Sequence, residues 1–67
     1  MARLKRGERE NRRNRIYRLL QCYRFGLRES EIAAETGLHR RVVNNYLREL
    51  QAQRRAEKVG WLWFARH

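Results

Sequence analysis

Residues 40–48 hold the side chains of this chain best suited to reading a nucleobase. Arg40, Arg41, Asn44, Asn45 and Arg48 fall together there. An arginine fork can donate two parallel hydrogen bonds to a guanine edge, and an asparagine amide pairs its donor and acceptor with an adenine edge. Asparagine is a poor helix former, so two of them in mid-helix are not there for helix stability. Arg41 and Asn45 are the leading base ligands, with Arg40 and Asn44 beside them. Val42 is placed to touch a thymine methyl. Arg48, a turn further on, suits a phosphate. The rest of the chain offers no catalytic set. The glutamates are scattered among arginines without a pair in a recognisable pocket, and no Cys/His set has metal-ligand spacing. No enzyme activity, metal or cofactor is expected.

The composition agrees with an anionic partner. Seventeen Lys and Arg oppose seven acids, for a net charge of +10 and a pI near 11.4. Arginine dominates the cations, and its planar fork matches phosphate geometry. Such a field attracts nucleic acid first and an anionic membrane second. No apolar run is long enough for a membrane span, and no signal-peptide core is present. Sixty-seven residues suffice for one domain, which at this size buries only about 60% of its unfolded surface. The lone Cys22 cannot make an intramolecular disulfide, reads as a packing residue and fits a reducing cytoplasm.

These side chains need elements to hold them. Residues 1–8 read as a basic flexible arm that Gly7 separates from any helix, and 9–67 as the domain. Ile16, Leu19, Leu20 and Tyr23 share one arc at helical period, giving a first helix over about 8–24. Its first two turns carry no apolar stripe and are expected on the surface. The N-terminal cations Arg3, Lys5, Arg6, Arg9, Arg12 and Arg13, of the arm and these turns, either track a nucleic-acid backbone or stay solvated. Phe25-Gly26 closes this helix, with Gly26 in the left-handed conformation. Leu27-Arg28 is a short extended link. A second helix spans about 29–36 with Glu29 and Glu31 in its first turn, where the dipole favours acids, and Gly37 stops it. A third covers about 40–53, burying Val43, Leu47 and Leu50 and leaving Arg41, Asn45 and Arg48 on the opposite arc. Strands over 56–58 and 61–65 follow, joined at Val59-Gly60. The second strand is aromatic, and Trp61, Trp63 and Phe64 are read as sheet and core packing. The fold class is mainly α with a small β-hairpin.

Within Glu31–Leu50 (EIAAETGLHRRVVNNYLREL), Ala33 is small where two helices cross and Gly37 sits where the turn needs positive φ. Val43 is a stiff apolar residue at the helix contact, and Ile32, Leu38 and Tyr46 complete the buried set. A short Gly-containing turn between helices is the helix-turn-helix pattern. This segment resembles the helix-turn-helix of bacterial transcription regulators. With the aromatic hairpin after it, residues 16–65 resemble a winged helix domain of three helices plus wing. Members often carry Ser or Thr as N-caps where this chain has Arg28 and His39, neither a good cap. A cation there opposes the helix dipole unless a phosphate lies nearby.

The resemblance implies that the third helix enters the major groove of double-stranded DNA, with Arg40, Arg41, Asn44 and Asn45 at base edges. Arg28, His39 and Arg48 would meet phosphates, as would Arg54, Arg55 and Lys58 from the wing. Met1 reads as a natural start and the chain stops directly after the wing, the pattern of the N-terminal part of a longer regulator that forms a homodimer. No small-molecule site is expected in this part, and no membrane partner. The alternative is an RNA-binding winged helix module, which an aromatic platform exposed on the wing would favour. Winged domains that bind left-handed DNA share Val43-Asn44, but their tyrosine is replaced by Arg48 here and the wing has no prolines.

Overall fold

A computed structural model describes residues 7–66. Three helices, α1 (Glu8–Cys22), α2 (Glu29–Thr36) and α3 (Arg40–Ala52), precede an antiparallel hairpin of β1 (Ala56–Val59) and β2 (Leu62–Ala65). This is the winged helix-like arrangement expected from the sequence. Of the arm assigned to 1–8, only Gly7 and Glu8 are described, as the N-cap and first residue of α1. Arg3, Lys5 and Arg6 lie outside the described residues. No helix among those described is long and apolar enough to cross a membrane.

Helix α1 starts at Gly7, whose φ of 95° breaks the chain direction, and Glu8 and Glu10 complement the dipole in its first turn. Ile16 and Leu20 are buried, with Tyr17 and Leu19 packed beside them. The helix ends at Cys22 rather than 24, and Tyr23 leaves the apolar arc to become 43% exposed. The cause lies downstream. The chain must turn sharply through Gly26 so that Leu27 can pair with Trp63, through Leu27 N–H to Trp63 O at 3.0 Å and Trp63 N–H to Leu27 O at 2.8 Å. Gly26 does adopt positive φ, 86°, in this turn rather than as the helix cap. Leu27 is therefore a buried sheet residue on the free edge of β2, not merely a link.

Helix α2 begins at Arg28 with half of a capping box. Glu31 accepts the Arg28 backbone N–H at 2.9 Å, whereas a guanidinium has no acceptor to offer in return. Gly37 closes the helix at φ 73°, ψ 11°, with its N–H on Ala33 O at 2.9 Å. His39 then corrects the expectation of a poor cap, because its Nδ1 accepts the Arg41 N–H at 3.1 Å. Helix α3 buries Val43, Tyr46, Leu47 and Leu50. It ends one residue early in a Schellman turn, with Arg54 N–H on Gln51 O and Arg55 N–H on Leu50 O. The left-handed residue there is Arg54 at φ 59°, where glycine is usual.

Ala56 pairs with Ala65, Lys58 with Trp63 and Val59 with Leu62. The turn is thus Gly60-Trp61, one residue later than Val59-Gly60. Gly60 takes positive φ, 62°, and Trp61 does not, the pattern of a II′ hairpin turn. Ala56 and Trp63 are buried and join Ile16, Ile32 and Leu47 in one hydrophobic core.

Candidate nucleic-acid interface

Because α3 turns its apolar arc inward, Arg41, Asn45 and Arg48 emerge exposed at i, i+4 and i+7, one above the other on the outer face. Asn45 makes no hydrogen bond to a described side chain, and Arg41 uses only its backbone N–H, in the His39 cap. Asn44 differs. It is half-buried, its Nδ2 donates to Glu29 Oε1 at 2.7 Å, and its Oδ1 accepts from Arg48 Nε at 3.1 Å. Its amide ties α2 to α3 and orients Arg48. Val42, expected near a thymine methyl, packs partly buried against the core.

A cavity of about 340 Å³ opens beside this face, lined by Arg28, Glu29, Ser30, Arg40, Lys58 and Trp61. Three elements meet in it: the start of α2, the start of α3 and the hairpin. Arg28, Arg40 and Lys58 are all exposed there and form no ion pair with a described residue. Lys58 Nζ lies 5.9 Å from the centre of the Trp63 ring, which helps hold the ammonium group in place. Cavity and helix face adjoin, since Arg40 precedes Arg41 in sequence and Glu29 reaches both the cavity and Asn44.

The other expected phosphate ligands divide. Arg54 is exposed at the end of α3. His39 uses Nδ1 in its cap, which leaves Nε2 to carry a proton outward as a donor. Arg55 stacks on Tyr17 at 4.3 Å and reaches Asn14 Oδ1 at 3.5 Å, a tie between the hairpin and α1 rather than a free cation. Arg9 and Arg13, expected to track a backbone or stay solvated, both pair with Glu49 of α3. Arg9 also lies over the Tyr46 ring. The first two turns of α1 lie largely on the surface, as expected, with Arg9 and Arg13 tied to α3 through Glu49.

Sequence reading missed two contributors. Trp61, assigned to strand packing, is 80% exposed because the turn falls one residue later and lifts it off the strand. Trp63, two positions on, is core at 2% exposed, as expected, and Phe64 is half-buried. Glu29, read only as a dipole partner, also organises Asn44. Among the described residues no group of His, Cys, Asp and Glu could hold a metal ion. No family model, curated protein or solved structure matches the chain.

Proposed function

We propose that this chain is a sequence-specific DNA-binding domain of a bacterial-type transcription regulator, with α3 in the major groove of double-stranded DNA. One observation carries the reading. An exposed Arg41–Asn45–Arg48 face adjoins a cavity where Arg28, Arg40 and Lys58 converge from α2, α3 and the hairpin. Phosphate contacts fix register and base contacts give sequence preference, and this surface has groups for both. Arg41 and Asn45 read bases, with Arg40 at the margin. Arg28, Arg48, Arg54, Lys58 and the His39 ring hold phosphates. A homodimer would set two such faces on two half-sites. The cytoplasm is the compartment this role implies, and an exposed free Cys22 suits reducing surroundings.

The test selects bound sequences from randomised duplex DNA, then titrates variants against selected and scrambled duplexes at several salt concentrations. Arg41→Ala and Asn45→Ala should each erase about 1–3 kcal/mol of preference at one or two positions. Lys58→Ala should weaken all duplexes alike and reduce the salt slope by about 0.9. If Arg41→Ala weakens both duplexes equally, α3 is not the reader.

The RNA-binding reading gains one observation, the exposed Trp61 at the hairpin tip. A parallel selection from randomised RNA separates the two, and enrichment in the RNA arm alone would displace the DNA reading.

A further inference from the structure

Trp61 takes no part in the buried core. Its indole is 80% exposed at the hairpin turn, while Trp63 fills the core. Large aromatic rings are normally buried or given a partner, and this one lines the cavity that contains Arg28, Arg40 and Lys58. At about 340 Å³ the cavity lies at the small end of ligand-sized sites, and its lining separates by chemistry. The cations suit a phosphate, and the indole face suits a base. The Ser30 hydroxyl and the Glu29 oxygen not bonded to Asn44 are polar groups for a base edge.

We propose that this cavity takes one unpaired nucleotide of a DNA strand leaving the duplex, its base stacked on Trp61 and its phosphate held by Arg28, Arg40 and Lys58. Stacking on an aromatic side chain tolerates any base, because every base has a π-face. Arginine adds forked, charge-assisted hydrogen bonds to the phosphate. The domain thereby recognises a junction of duplex and single strand as well as duplex sequence. This assignment rests on the duplex-binding reading above for its orientation on DNA.

The experiment compares three labelled DNAs at one salt concentration: a blunt duplex, the same duplex with a short single-stranded overhang, and that duplex with an abasic overhang. The full chain should bind the base-bearing overhang about tenfold more tightly than the blunt duplex, and Trp61 should become shielded from acrylamide quenching. The abasic overhang keeps the same phosphates and should lose the part of the gain that stacking supplies. Trp61→Ala should lower the ratio of overhang to blunt affinity to that of the abasic overhang, and Trp61→Tyr, which can still stack, should retain most of it. Equal binding of blunt and overhang DNA by the unaltered chain overturns the proposal. So does an abasic overhang bound as tightly as the base-bearing one. The two readings fail separately. Sequence-selective binding of blunt duplex without an overhang gain removes only the nucleotide site, whereas a Trp61-dependent gain without duplex sequence preference removes only the major-groove reader.

Discussion

Replacing Gly26 by alanine tests the most crowded point of the fold. Gly26 sits at φ 86°, and a Cβ added there would lie 2.8 Å from Phe64 Cζ and 3.1 Å from Leu62 Cβ. Gly37 provides the control, with φ 73° and nothing within 4 Å of the added atom. A left-handed backbone costs an L-residue roughly 1–2 kcal/mol, so Gly37→Ala should lose about that much. Gly26→Ala bears the same backbone strain plus overpacking, which costs about 1–3 kcal/mol. The half-exposed Phe64 ring can swing aside, but Leu62 Cβ is fixed to the backbone, which puts the extra loss near the lower end, about 1 kcal/mol. A domain of this size holds only about 3–5 kcal/mol in total, so Gly26→Ala should remove most of its stability and Gly37→Ala about a third. Urea denaturation followed by far-UV circular dichroism measures both. A double-mutant cycle of Gly26→Ala with Phe64→Ala should show coupling. Equal losses at the two glycines, or strict additivity with Phe64→Ala, would refute the argument that Gly26 is required by the close approach of β2.

Arg54→Gly should raise stability by about 1 kcal/mol, seen as a rise in Tm of about 4–8 °C, while duplex affinity falls and the salt slope drops by about 0.9. An unchanged Tm would mean that φ 59° carries no strain at this position. Asn44→Ala should cost about 1–3 kcal/mol of stability by leaving Glu29 without its partner, and leave base preference at a selected site in place. Altered preference at one base with stability intact would instead make Asn44 a reader.

The helices and the exposed polar face of α3 are legible in the sequence, and the small shifts have local causes. The bounds of α2 came from its acids and Gly37, and Val43, Leu47 and Leu50 oriented α3 through helical period alone. What periodicity could not show was the pairing of Leu27 with Trp63, a contact between residues far apart in sequence. That one bridge shortens α1, exposes Tyr23 and turns Gly26 from a cap into a point of close approach. The hairpin turn lies one residue later than the sequence predicts because Val59-Gly60 and Gly60-Trp61 are both acceptable turn dipeptides. Only cross-strand register decides between them, and a slip of one residue sends every side chain to the other face. Trp61 is exposed because the observed register puts it in the turn, while Trp63 keeps its inward face. The His39 cap is not legible in the sequence because Nδ1 accepts a hydrogen bond only in the tautomer that carries its proton on Nε2.

The charge of +10 is not spread evenly in function. Glu49 binds Arg9 and Arg13, and Tyr17 covers Arg55, so the side of the molecule where α1 packs on α3 and the hairpin uses its cations internally. Glu31 serves a cap and Glu29 bonds Asn44. At the meeting of α2, α3 and the hairpin, by contrast, Arg28, Arg40, Arg41 and Lys58 stay exposed without an acidic partner among the described residues. Those cations need not leave an existing ion pair to meet a polyanion, and the same holds of Arg12, Arg15, Arg18 and Arg24, exposed along and just after α1. The same reasoning separates the cations by salt dependence. Each phosphate neutralised contributes about 0.9 to the slope of log affinity against log salt. Lys58 and Arg28 should contribute fully, whereas Arg9 and Arg13 must first give up Glu49 and should contribute little.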